Sequence, residues 1–150
     1  MFTSNMQDQM TMLNTLVLHE KLIVGGQPTV EDLRMMQRMG MTQVINLRPE
    51  TETIDFDEVA LLKELGMQYH LIPLTDITTF TKASAEQLQR VLDLNEPCLL
   101  HCATGNRVGA LIALQVFWLQ ELTPQAALDK GLKAGLTRLR PHVEQVLGLL

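Results

Sequence analysis

The sequence predicts an α/β fold: a four- to five-stranded, mainly parallel sheet flanked by helices on both faces. Two observations point there. Short apolar strand-like runs alternate with helical patterns from Lys21 onward, as a parallel sheet with crossover helices requires. The helical stretches are also punctuated, with Ser or Thr before several of them and Gly after.

The elements follow in order. Lys21 to Val24 reads as a strand ending at Gly25-Gly26. Thr29 caps a helix reaching Met39, with Val30, Leu33, Met36 and Met39 on its apolar face and Gly40 as its stop. Gln43 to Leu47 is a second strand, closed by Arg48-Pro49. A helix from about Asp55 to Leu65 buries Phe56, Val59, Leu62 and Leu65, and Gly66 ends it. Met67 to Ile72 forms a third strand before Pro73. Ser84 with Gln87 makes a capping box for a helix ending near Leu94. Pro97 to His101 is the fourth strand. The next segment, Arg107 to Leu122, is apolar on nearly all sides and reads as the central buried helix. Thr123-Pro124 opens another helix with proline at its first position, and a last helix follows Pro141. Residues 1–20 read as a lead-in with a short helix, and residues 21–150 as a single domain.

Composition narrows the function. Hydrophobic residues make up 46% of the chain, ample for one core, and charged residues 19%, too few for a disordered segment. The net charge of −5, with no Lys/Arg cluster, argues against nucleic acid or an anionic membrane as partner. No apolar run reaches the roughly 18 residues of a membrane helix. The start, Met1 to Asp8, lacks the pattern of a signal peptide, so a cytoplasmic protein is expected. His19, His70, His101 and His142 show no metal-ligand spacing, so neither metal nor cofactor is expected. Cys98 and Cys102, at the two ends of a strand, stand about 13 Å apart, too far for a disulfide.

Chemistry concentrates in His101-Cys102-Ala103-Thr104-Gly105-Asn106-Arg107, between a buried strand and a buried helix. Small residues let successive amides of Ala103, Thr104, Gly105, Asn106, Arg107 and Val108 converge on an anion, and the positive helix end points at the same spot. That field favours the thiolate of Cys102, a nucleophile that substrate must reach from solvent. Arg107 offers a planar fork to two oxygens of a tetrahedral anion. Ligands of parallel sheets bind beyond the carboxyl ends of the strands, where Cys102 falls. His101 reads as a buried residue that orients the loop. Arg48 and Gln27 end the second and first strands on the same edge, each read as a structural support, Arg48 as an ion pair or loop anchor, with contact to substrate as the other reading of both.

Cys-x-x-Gly-x-Arg after a strand resembles the cradle of the protein tyrosine and dual-specificity phosphatases. Those enzymes usually have one more residue between Cys and Arg than the four found here. The shorter form resembles the bacterial beta-lactamase-hydrolase-like phosphatase family. Gly25-Gly26-Gln27-Pro28, Val44-Ile45-Asn46-Leu47-Arg48-Pro49, Tyr69-His70-Leu71-Ile72-Pro73-Leu74 and Gly131-Leu132-Lys133-Ala134-Gly135-Leu136 fit it too. The resemblance implies a cysteine-phosphatase-like three-layer sandwich that hydrolyses phosphomonoesters through a cysteinyl-phosphate. It also implies a general acid on the loop after the third strand. Asp76 is the candidate, with capping of local amides as its other reading, while Asp55 and Asp57 are weaker ones. The family's Ser or Thr after the arginine is Val108 here. The expected substrate is a phosphorylated protein or a small aryl phosphate. Two other readings stand beside it, a rhodanese-like sulfurtransferase and a phosphate- or phosphoprotein-binding module with little turnover.

Overall fold

The computed structural model describes residues 1–150. Five strands form one sheet: β1 (Leu16–His19), β2 (Leu22–Gly25), β3 (Gln43–Asn46), β4 (Gln68–Leu71) and β5 (Cys98–His101). Their order across the sheet is β1-β2-β5-β3-β4, with every neighbouring pair parallel except β1 and β2. The predicted sheet is therefore the observed one, mainly parallel with an antiparallel strand at one edge. Residues 1–20, read from sequence as a lead-in, supply that edge strand, and Phe2 and Met12 enter the core.

Register across the sheet positions everything that follows. Gly25 of β2 and Asn46 of β3 both pair with His101 of β5, and Leu71 of β4 pairs with Asn46. Four strands thus end on one level, and the residues after each of them emerge at one edge.

Helices α1 (Val30–Arg38) and α2 (Glu58–Glu64) flank the sheet with α3 (Lys82–Leu92), α4 (Asn106–Leu119), α5 (Pro124–Lys133) and α6 (Arg140–Leu147). Strand side chains alternate between two cores, as their period of two requires. Val24, Ile45 and Leu100 pack with residues of α3, α4, α5 and α6. Ile23, Val44 and Leu99 pack with Leu33, Met36 and Leu62 of α1 and α2. The expectation for α4 as the central helix holds, since Val108 through Val116 are all buried. Thr29 caps α1 through a reciprocal box with Asp32, and Thr123 caps α5 ahead of Pro124.

Two sequence expectations shift. The cap of α3 is Thr81, with Ser84 as its partner three residues on, so the helix starts earlier than a Ser84 cap would place it. Helix α2 begins at Glu58, not near Asp55, because the Asp57 side chain accepts from the Ala60 amide. That later start leaves Val59 outside, 52% exposed, and turns Glu58 inward.

Candidate active site

The loop from Cys102 to Gly105 joins β5 to α4, and its shape follows from local chemistry. Gly105 caps α4 at φ 97°, a left-handed conformation that costs any side-chain-bearing residue about 1–2 kcal/mol. The turn carries the Gly105 amide to Cys102 Sγ at 3.1 Å. The amides of Ala103, Thr104, Asn106, Arg107 and Val108 have no protein acceptor. Those in the first helical turn lack one because no preceding turn exists. Five donors and a helix N-terminus therefore meet in the loop that closes on the sulfur.

Cys102 itself is 1% exposed, a correction to the expectation of a thiol open to solvent. Ala103 and Thr104, the next two residues, are half-buried. Its neighbourhood separates it from Cys98, also buried and also free of any disulfide. Cys98 sits among aliphatic side chains with the Leu99 carbonyl at 3.6 Å, and burial pushes its thiol up to about 12. Cys98 is thus a neutral packing residue.

Arg107, in the first turn of α4, is gripped from behind. Its Nη1 and Nη2 donate to the two carboxylate oxygens of Glu52 at 2.7 and 2.8 Å, and Nη1 also donates to the Leu74 carbonyl at 2.9 Å. A guanidinium has five N–H donors. Those three bonds leave the Nε–H and the second Nη2–H, the side edge of the fork, for an oxyanion. The hydrogen bond to Arg107 holds the Glu52 carboxyl below its usual range, against the opposing effect of burial. Arg48 is buried, and its Nη2 donates to the Glu52 carbonyl while its own amide is held by Asn46 Oδ1. It anchors the segment that positions Arg107. Nothing in the sequence singled out Glu52, because it lies on an irregular loop with no pattern around it.

His101 is fully buried. On the β5 alternation it shares a face with Leu99 and meets Glu58 at the start of α2, Nε2 to Oε2 at 2.7 Å. Its Nδ1 lies 3.2 Å from the Cys102 carbonyl. Gln27 Nε2 donates to the other Glu58 oxygen at 2.7 Å, and the Gln27 amide donates to the Ala103 carbonyl at 3.0 Å. Glu58, unremarked in the sequence, ties the floor of the loop together. Burial pushes its carboxyl up, but His101, Gln27 and the charge of Arg48 outweigh burial and hold it low.

Other contacts fix the loop from both flanks. Asn14 Nδ2 donates to the Thr104 carbonyl at 2.6 Å, so the N-terminal segment is part of the site. Asn106 turns its side chain away from the loop, and its Oδ1 accepts from the Thr137 and Leu139 amides at 3.0 and 3.1 Å. Its backbone amide alone faces the anion-binding role read from sequence. Asp76, two residues past Leu74, is exposed and caps the short 3-10 helix Ile77–Thr79. The Thr78 hydroxyl and amide, and the charge of His142, hold its carboxyl below the usual range. The structure brings Cys102, Arg107, His101, Arg48 and Gln27 into one connected assembly, while Asp76 bonds none of them and follows Leu74, whose carbonyl Arg107 holds.

The chain matches, over residues 4–142, the family described as a dual-specificity and protein tyrosine phosphatase-type phosphatase fused to NAD+ kinase. The chain belongs to this family. Its curated relatives include the beta-lactamase hydrolase-like proteins of Xylella fastidiosa, 31% identical over 102 residues, and of Agrobacterium fabrum, 28% identical. The match covers 65% of this chain and 23% of each relative, so the chain spans under a quarter of their length. Among solved structures it resembles the core catalytic domain of a PP-IP phosphatase from S. cerevisiae, with TM-score 0.70 and 20% identity over 91% of this chain and 84% of that one. Kinase associated phosphatase, solved with serine in place of its catalytic cysteine, gives TM-score 0.66 at 18% identity over 86% and 88%. At such identities the likeness is one of fold, that of the dual-specificity phosphatases. The resemblance to the beta-lactamase-hydrolase-like phosphatases drawn from the loop and its flanking motifs is borne out.

One of those motifs now has a reason. A Cβ added at Gly26 would lie 2.5 Å from the Ala103 carbonyl oxygen and 3.2 Å from that of Leu13, both backbone atoms that cannot swing away. Gly26→Ala is expected to displace the loop and weaken tungstate binding at least about tenfold, since a shift of about 1 Å in such a site costs up to 100-fold. Calorimetric titration with tungstate, with a thermal melt to confirm folding, checks this.

Proposed function

We propose that this chain is a cysteine-dependent phosphomonoester hydrolase of the protein tyrosine and dual-specificity type. The observation that supports it best is the set of five amides without a protein acceptor on the segment whose Gly105 amide reaches Cys102 Sγ, with the free edge of Arg107 two residues further on. A phosphoryl group is tetrahedral and anionic, and such donors stabilise the charge on its equatorial oxygens as the transferring bond breaks.

In this reading Cys102 Sγ attacks phosphorus in line. The S–P bond forms as the P–O bond to the leaving group breaks, and the departing oxygen takes a proton from a general acid. Water then attacks phosphorus, giving its proton to the same carboxylate. The S–P bond breaks with its electron pair returning to sulfur, and inorganic phosphate departs. Glu52 is a positioning residue that presents the side edge of Arg107. Thr104, half-buried in the loop, stands in for the hydroxyl missing at Val108. No step calls on a metal or a cofactor. The substrate is a phosphorylated protein or small aryl phosphate.

Asp76 is assigned as the acid, and its present hydrogen bonds define the condition. It must exchange Thr78 for the leaving oxygen when substrate binds. Because its carboxyl is held low, the protonated form is populated only in acid. Rates on poor leaving groups should therefore fall as pH rises through the weakly acidic range. Asp76→Asn is expected to slow alkyl phosphates by about 100-fold or more and aryl phosphates far less, because a phenolate departs with little protonation. Steady-state kinetics on an alkyl and an aryl phosphate across pH 4–8, with wild type and Asp76→Asn, provide the check. Equal losses on both would remove Asp76 from this role.

The reading as a whole is tested by aryl phosphate turnover set against thiosulfate-to-cyanide sulfur transfer. Sulfur transfer without phosphatase activity would overturn it in favour of a rhodanese-like reaction, and tight phosphate binding with neither activity would leave a binding module.

A further inference from the structure

A cavity of about 470 Å³ lies against the candidate active site, lined by residues 27–31 on one side and 54–56 on the other. Both walls are tied to the loop. Gln27 donates to the Ala103 carbonyl, and Glu52, two residues before Ile54, holds Arg107.

The lining has a consistent chemistry. Pro28, Val30, Ile54 and Phe56 are apolar, while Glu31 and Asp55 are exposed carboxylates at the rim. Neither carboxylate takes part in a salt bridge, and no cation lines the cavity. The Oε1 of Gln27, a residue that lines the cavity, is buried without a hydrogen-bond partner. An unmet buried acceptor is costly until a donor reaches it. Apolar walls, acceptors and uncompensated negative charge together describe a receptor for a long aliphatic stem ending in a cationic donor.

We infer that this cavity is a specificity subsite that takes the side chain of an arginine or lysine flanking the phosphorylated residue of a peptide substrate. The inference rests on the phosphatase reading and deepens it by naming a substrate class, phosphopeptides with basic neighbours. It also sets this chain apart from enzymes acting on polyphosphorylated small molecules, because a second phosphate placed here would face Glu31 and Asp55.

The test compares three phosphopeptides identical except for arginine, alanine or glutamate at the positions flanking the phosphoresidue. The arginine peptide should exceed the alanine peptide in kcat/KM by about tenfold, or about 1.4 kcal/mol, with the glutamate peptide lowest. In the double variant Glu31→Gln, Asp55→Asn that arginine-to-alanine ratio should fall to near one. It should also shrink with rising salt in the wild type. Binding of the same labelled peptides to Cys102→Ser protein, by fluorescence anisotropy, gives the ratio without turnover. Equal treatment of the three peptides, or a ratio that survives the double variant, would overturn the subsite. Absence of turnover on every phosphomonoester, with the binding ratio intact, would overturn the catalytic reading and leave the subsite standing.

Discussion

Cys102→Ser is expected to reduce kcat on an aryl phosphate by about 10⁴-fold or more while leaving phosphate binding and stability close to wild type. The size follows from the role. A serine hydroxyl is a weak nucleophile at neutral pH and has no base beside it in this loop, so the covalent step is lost and not merely slowed. Binding should persist because the groups proposed to hold the anion, the unpartnered amides of Ala103, Thr104, Asn106, Arg107 and Val108 and the Arg107 side chain, are untouched by the substitution. The fold persists because the serine oxygen occupies the buried site and accepts from the Gly105 amide, as Sγ does now at 3.1 Å. Steady-state kinetics, tungstate titration and a thermal melt on the same samples separate these effects. Loss of tungstate binding together with activity would mean that the cysteine shapes the loop and is not its nucleophile. Retained activity would end the proposed mechanism.

Glu58→Ala should lower stability by about 3–5 kcal/mol, because it takes the carboxylate from two partners of one buried network at once, His101 and Gln27. Glu58 is 5% exposed and His101 fully buried, so water cannot replace the lost carboxylate. Gln27 Nε2 loses its partner in the same step. Glu58→Gln keeps the size and one acceptor and should cost less. Urea unfolding at neutral pH measures both. The pH dependence has a definite sign. A carboxyl held below its ordinary value of 4.5 contributes stability that is present above that value and is lost as pH falls through the lower, folded-state one. The stability gap between wild type and Glu58→Gln should accordingly narrow below pH 4.5. A gap constant from pH 7 to pH 3 would show that the Glu58 carboxyl is not held low by its partners. Since His101 precedes Cys102, residual activity of Glu58→Gln should fall by more than its stability alone explains.

Most of the scaffold was legible in the chain because it rests on local chemistry. Alternating apolar runs, the Thr29 and Thr123 caps and the Pro124 start are short-range signals, and each appears where the sequence places it. The edge strand Leu16–His19 was not legible, because four residues half-buried at a sheet edge carry no face pattern to set against a lead-in. Val59 was misplaced for a related reason. Helical periodicity assigns a face only once the first residue is known, and that residue is set by the Asp57 cap.

The division runs the same way at the site. The amino-acid order alone determined a cysteine, a glycine and an arginine on one strand-to-helix loop, since a nest of amides depends on residues adjacent in the chain. Only the folded chain decided what holds that loop. Glu52, Glu58 and Asn14 act across separations of 55, 43 and 90 residues, reaching Arg107, His101 and Thr104. Such partners leave no periodic trace, because it is the register of β2, β3 and β5, level at Gly25, Asn46 and His101, that brings their segments together.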